Sequence, residues 1–323
     1  MKKAYITGGT GCVGRNVIDV LLKDDWQVVA VHRRSSNTNR LKDLNIELRE
    51  VNLHNYDEVA ASVDDDIDCV FHVAANTSEW PLEAEQQYND NVTATRNLVR
   101  ACVAKKIKKF VFTSTGAASP YQSYSEEEAR NISNQYIRTK RLSEFEVAKG
   151  IEQGLDVVTV LPAIVVGAYD YNNYSQMFVL CNEGNMKGIL PGKIVFCHAA
   201  EVGKAHVSAY EKGLPGMRYH LGGPYMSWYD FMHVVAKQLK VSGPVLKVPI
   251  PLLFLYSYPA LWLSYITKKK PLLTPSIVHL LNSANDDNLD SDEPARQDLG
   301  YKNIPIDIMV SDCIEWMRGE GML

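Results

Sequence analysis

The chain opens with a strand that empties into glycines. Residues 7–14 read Thr7-Gly8-Gly9-Thr10-Gly11-Cys12-Val13-Gly14, directly after Ala4-Tyr5-Ile6, and Val17, Ile18, Val20, Leu21 and Leu22 follow at helical spacing. Backbone that packs against a pyrophosphate leaves no room for side chains, and a helix N-terminus supplies free N–H groups and a positive dipole end. The spacing is G-x-x-G-x-x-G rather than G-x-G-x-x-G, and a tight structural turn is the alternative. The setting, with a strand before and a helix after, points to a dinucleotide-binding turn in which Thr7, Gly8, Gly11, Cys12, Val13 and Gly14 line the cofactor.

Strands are expected at Lys3–Thr7, Gln27–His32, Ile46–Val51, Asp68–Ala74, Lys109–Ser114 and Asp156–Leu161, with helices at 12–23, 55–63, 85–105 and 133–153. Short, nearly continuous apolar strands alternating with helices predict an α/β fold with a doubly wound parallel sheet of Rossmann type. Ligand should bind beyond the carboxyl ends of its strands. Residues 1–167 are read as the dinucleotide-binding domain, with a returning segment near 193–223; residues 168–192 and 224–323 form a smaller C-terminal substrate lobe.

A net charge of -4 gives no footprint for nucleic acid. The six cysteines are scattered, without the spacing of a metal site. No signal peptide precedes the first strand, which predicts a cytoplasmic protein. Residues 248–267 are apolar, and Lys268-Lys269-Lys270 follow. Pro249, Pro251 and Pro259 interrupt the run, so a buried or substrate-covering helix is expected in preference to a membrane span; an interfacial helix with a basic end is the alternative.

At the end of the second strand, a carboxylate would bind the ribose of NAD. The chain instead has His32, Arg33 and Arg34, and guanidiniums suit a 2′-phosphate. NADP(H) is therefore expected over NAD(H), the alternative being a solvated loop with two surface arginines. His32 is open between stacking on adenine and having no role. Tyr136 and Lys140 stand four apart on one helix face, where an ammonium would favour tyrosinate and help the phenol transfer a proton. Ser114 and Thr115 end a buried strand and complete a group that can hold a carbonyl oxygen, or else they merely cap that strand.

These segments together resemble the extended short-chain dehydrogenase/reductases, the superfamily of NAD(P)-dependent epimerases and dehydratases. The motifs are Thr7–Gly14, Phe71–Ala75, Asn91–Leu98, Phe112–Thr115 and Tyr136–Lys140, with Leu161–Gly167 beside the nicotinamide, and the likeness continues to about Gly223. Within it, the best likeness is to dihydroflavonol-4-reductase-like proteins. The resemblance implies Thr115 as the catalytic hydroxyl with Ser114 adjacent, Tyr136 as general acid, and Lys140 binding the ribose. It also implies Ala74, Ala75, Pro162, Ala163 and Val165 along the cofactor, and Asn91 behind the site. Asn52-Leu53 replaces the aspartate usual near the adenine, and Ala94 replaces a glycine of the family.

Ser78, Trp80, Tyr169 and Met177, with Tyr174 and the 250–265 segment, form the expected substrate surface, whose apolar character suits a hydrophobic carbonyl; packing is the alternative. The leading reading is NADP(H)-dependent reduction of a ketone or aldehyde, with Tyr136 as proton donor. A nucleotide-sugar epimerase or dehydratase is the alternative, for which only Arg218 offers a late cation; a cofactor-sensing protein without turnover is a third. A homodimer is expected through helices 85–105 and 133–153, using Leu98, Val99, Cys102, Val103, Leu142, Phe145 and Val147.

Overall fold

The computed structural model describes residues 1–118, 125–186, 188–244, 246–283 and 291–323. In order come β1 (Lys3–Thr7), α1 (Cys12–Lys23), β2 (Gln27–His32), β3 (Glu47–Glu50), α2 (Tyr56–Ser62) and β4 (Cys69–His72). Helix α3 (Ala84–Tyr88) passes through a π turn at Asn89–Thr93 into α4 (Ala94–Ala104). Next are β5 (Lys109–Thr113), α5 (Glu126–Arg130), α6 (Gln135–Glu152), β6 (Val157–Pro162), β7 (Ile164–Val166), α7 (Ser175–Asn182) and β8 (Gly188–Ile189). The rest comprises β9 (Lys193–His198), α8 (Ala199–Lys212), β10 (Arg218–Leu221), β11 (Tyr225–Ser227), α9 (Trp228–Leu239) and β12 (Leu246–Lys247), then α10 (Ile250–Thr267), α11 (Pro275–Ser283), α12 (Glu293–Leu299) and α13 (Ile306–Gly319).

Seven parallel strands lie in the order β10-β6-β5-β4-β1-β2-β3. Successive residues of a strand face opposite sides, so Ala4 and Ile6 enter the core under α1 and α8, while Tyr5 enters the core under α2 and α4. The chain winds away from β1 in both directions, which opens a crevice past the ends of β1 and β4. Helices α1 and α8 pack closely: a Cβ at Gly203 would stand 2.6 Å from the Asn16 carbonyl oxygen.

Some boundaries differ from those expected. Strand β9 pairs with β7 and β11 in a separate small sheet, so only β10 of the returning segment joins the main one. Ala295, Leu299 and Tyr301, expected in the lobe, pack on the main core instead, and Tyr301 Oη donates to the Gly222 carbonyl at 2.6 Å. The lobe has its own core of Phe178, Phe196, Trp228, Phe231, Met309 and Met317. The apolar positions that suggested a subunit contact are largely occupied within the protomer. Leu98, Val99, Cys102 and Val147 are buried beneath the sheet, and Leu142 and Phe145 pack around Val92.

Candidate functional site

The glycine turn is dictated by crowding. Gly8 has φ +75°, and a Cβ there would come 2.7 Å from the Ala74 nitrogen; at Gly14 it would come 2.2 Å from the Gly8 carbonyl oxygen. No side chain caps α1, and its first turn holds no acid. The leading N–H groups and dipole end therefore remain available to a phosphate at the crevice. The cradle and donor set fit a dinucleotide. The Cys12 thiol is directed elsewhere, to the Ala168 carbonyl at 3.3 Å, which leaves its backbone for the turn. Arg40, which the sequence did not single out, reaches the Thr10 carbonyl at 3.4 Å and stacks on Tyr171.

A buried polar chain fixes the turn to the neighbouring strand. Thr7 Oγ1 accepts from the backbone N–H of Val73 and Ala74 at 3.1 and 3.0 Å, which leaves its proton for His72 Nδ1 at 2.8 Å. His72 Nε2 then donates to Thr95 Oγ1, which donates to the Asn91 carbonyl. Burial lowers the His72 pKa to about 3, so the imidazole is neutral, as this chain requires.

At the end of β2, Arg33 and Arg34 are exposed, and Arg33 Nη1 lies 3.5 Å from Asp90, which comes from the π turn. His32 Nδ1 faces the Arg33 carbonyl at 3.1 Å. Asn52 Oδ1 accepts from the His54 N–H, and the Leu53 carbonyl accepts from Asn97.

Tyr136, Lys140 and Glu144 recur every fourth residue along α6 and share one face. Asn134 caps this helix, accepting from Ile137 N–H at 2.8 Å. The half-buried Tyr136 phenol lies beside the Thr115 hydroxyl, and burial pushes its pKa up to about 12 against the opposing pull of Thr115. Lys140 is held at the end of β5. Its Nζ donates to the Thr113 carbonyl at 2.7 Å, and burial lowers its pKa to about 8 against the opposing pull of Glu144.

Ser114 and Thr115, just past the end of β5, meet different residues of α6. The Ser114 hydroxyl donates to Glu144, so Thr115 alone of the pair faces Tyr136. Glu144 also binds Arg141 at 3.3 Å and Arg218 at 3.0 Å. Arg218, the cation considered for a diphosphate, is thus a partner of this internal carboxylate.

The loop after β4 forms another wall. Asn91 Oδ1 accepts from Asn76 N–H at 2.7 Å, while its Nδ2 donates to the Asn76 carbonyl and to Thr139. Ser78 is buried with its carbonyl accepting from Gln87, and Trp80 Nε1 donates to Ser264 Oγ at 2.9 Å, so both build the wall. Between them stands Glu79, which sequence reasoning missed. Burial raises its pKa, opposed by hydrogen bonds from Ser276, Asn134 and the Tyr136 backbone, and it adds negative charge beside the Tyr136 phenol. Its place between Ser78 and Trp80, two residues expected at the substrate surface, was its only signal.

Ala74 is half-buried and Ala75 exposed at the start of that loop. Pro162 and Ala163 pass beside Gly116, with Val165 just beyond in β7. Tyr174 lies near Tyr136 and stacks on Trp228. Two residues expected at the substrate make packing contacts. Tyr169, at φ +70°, covers Arg15 and packs on Trp316; Met177 packs in the lobe core.

The family model described as the NAD dependent epimerase/dehydratase family matches residues 4–222. The chain is 26% identical over 329 residues to Sterol demethylase protein B of Methylococcus capsulatus, covering 98% of this chain and 99% of that protein. It is 25% identical over 339 residues to a Synechocystis protein named after dihydroflavonol 4-reductase, covering 98% of this chain and 95% of the other. The crystal structure of gox2253 superposes with a TM-score of 0.84 at 27% identity, covering 100% of both chains.

Proposed function

Because the chain belongs to the NAD dependent epimerase/dehydratase family, and is thereby a nicotinamide-dependent enzyme of CH–OH and C=O groups, we propose that it interconverts a ketone or aldehyde and its alcohol on a hydrophobic small molecule, with NADP(H). The observation that carries this reading is the Tyr136 phenol beside the Thr115 hydroxyl at the mouth of β5. The bound nicotinamide supplies or accepts hydride. Gly8, Gly11, Gly14 and the backbone of Cys12 and Val13 hold its phosphates, and Arg33 and Arg34 take the 2′-phosphate. Thr115 and Tyr136 donate hydrogen bonds to the carbonyl oxygen, and Tyr136 delivers the proton that completes the alcohol. Lys140 holds the ribose side of the crevice with its ammonium, while Glu79 and Asn91 keep the wall in place.

Two facts support an apolar substrate. Trp80, on the loop after β4, is tied to the apolar helix α10, and Arg218, the cation considered for a sugar diphosphate, is bound to Glu144. The relatives' names include a sterol-processing protein, consistent with a rigid apolar ring system. The test follows NADPH consumption at 340 nm with a panel of aliphatic, aromatic and fused-ring ketones, and titrates UDP-glucose calorimetrically with cofactor present. Turnover of apolar ketones without UDP-glucose binding supports the reading. Tight UDP-glucose binding without response to any ketone would replace it with the epimerase reading.

A further inference from the structure

Helix α10 is apolar on every side, yet only one face of it meets the protein. Leu253, Ser257 and Ser264 are buried, and the Trp80 indole fastens this stripe at Ser264. At 3.6 residues per turn, Leu252, Leu255, Tyr258, Trp262, Leu263, Tyr265 and Ile266 fall on the opposite half with Tyr256 at its edge, and all are exposed. Exposure is graded across that half. Along its middle run Leu255 at 71%, Trp262 at 67% and Ile266 at 63%; Tyr256 at 53% marks one rim, and Tyr258 at 55% and Tyr265 at 43% the other. Aliphatic and indole groups thus project farthest, flanked by phenols with an apolar ring and a polar tip. This is the order that suits a boundary between hydrocarbon and water.

The charge is placed to match. The helix ends with Lys268 in the left-handed conformation, and Lys268, Lys269 and Lys270 are exposed, followed by Leu272 at 92% exposure. With a mean hydropathy of 1.2 over 18 residues, α10 is apolar enough to cross a membrane, but its fastened stripe holds it along the protein surface. A helix lying flat with an apolar outer face and a basic end is the form of an interfacial anchor. A second copy of the chain fits this face less well. Protein interfaces carry roughly one hydrogen bond per 100–200 Å², and the outer half offers only phenols and one indole.

We infer that α10 docks on an anionic lipid bilayer, its outer half in the headgroup–acyl boundary and Lys268–Lys270 on acidic headgroups. Trp80 ties α10 to the loop after β4, and Ser276 of α11 binds both Glu79 and Asn134, the cap of the helix that carries Tyr136. Docking would therefore set the crevice wall beside the bilayer. The inference concerns the surface alone and stands apart from the reductase reading.

The full chain is sedimented with vesicles of phosphatidylcholine alone and of phosphatidylcholine mixed with phosphatidylserine. The wild type should partition onto the mixed vesicles more than about tenfold better than onto phosphatidylcholine, with the difference removed by high salt. L255E/W262E/I266E should abolish binding to both while melting like the wild type by circular dichroism. K268E/K269E/K270E should fall to the phosphatidylcholine level. Wild-type protein left in the supernatant with both vesicles would overturn the inference, as would K268E/K269E/K270E binding the mixed vesicles like the wild type. A wild-type dimer in light scattering that L255E/W262E/I266E converts to monomer would also overturn it, assigning the face to a second copy.

Discussion

The crevice wall at β1 and β4 and the outer face of α10 treat their side chains in opposite ways. In the crevice, polar groups are taken out of water and each is constrained by the next: Thr7 by two backbone N–H groups, His72 by Thr7 and Thr95, Asn91 by Asn76 and Thr139. On α10, large apolar groups are left in water and only the inner stripe is held. The first arrangement fixes geometry, because a buried polar group without its partner costs about 1–3 kcal/mol. The second fixes little, because each exposed side chain answers to the surrounding medium. Substitutions in the crevice should therefore change chemistry or global stability, while those near α10 should act locally.

The sharpest way to test that contrast is Tyr136→Phe. Removing the phenol should lower kcat by roughly 10²–10⁴-fold, with NADPH affinity measured by fluorescence little changed. Substantial turnover in this variant would remove Tyr136 from the proton-transfer role.

Acid should act next, and on the crevice side of the comparison. Burial lowers His72 to about 3, and His206, on α8 and hydrogen-bonded to Thr113 at the end of β5, to about 4, below the ordinary value of 6.5. Below pH 6.5 the unfolded chain binds protons that the folded chain refuses, so stability is full above pH 6.5 and falls as pH drops towards 4. The loss should amount to several kcal/mol, on the order of 1.4 kcal/mol per pH unit for each histidine. Urea midpoints measured across this window check it; a midpoint unchanged between pH 7 and pH 4.5 would show that neither ring is held neutral.

Arg33→Ala should weaken NADPH by about 1.5–3 kcal/mol and leave NADH nearly unchanged. Equal losses for both cofactors in a calorimetric titration would mean that the guanidinium does not read the 2′-phosphate. The smallest effect is expected at the junction of the two regions. Trp80→Phe removes the hydrogen bond to Ser264 and should cost about 1 kcal/mol, with hydrogen exchange rising in α10 and unchanged in β1. Uniform loss of protection across the sheet would show that α10 is integral to the main core.

What the sequence disclosed follows the same division between local and distant causes. The glycine turn, the strand–helix alternation and the Tyr136–Lys140 spacing are written in adjacent residues, and each reappears in the structure where expected. Which of the consecutive hydroxyls Ser114 and Thr115 meets Glu144 and which meets Tyr136 depends on the backbone past the end of β5, which composition does not record. The partner of Arg218, Glu144, was not legible because it lies 74 residues away. Tyr169 turns away through a left-handed backbone to meet Trp316, whose position depends on the chain folding back. Glu79 stayed hidden for the same reason: the Ser276 that binds it comes from a helix near the other end of the chain.

The π turn at Asn89–Thr93 carries a consequence for insertions and deletions. A π turn accommodates one residue more than an α-helical turn would. Losing that residue would rotate everything before it by about 100° relative to α4. Asp90 would leave Arg33 and the His54 ring, which it meets at 2.9 Å, and Asn91 would leave Asn76 and Thr139, in one event. Lineages descended from this protein should therefore vary in what they place along this helix far more freely than in how many residues they use to build it.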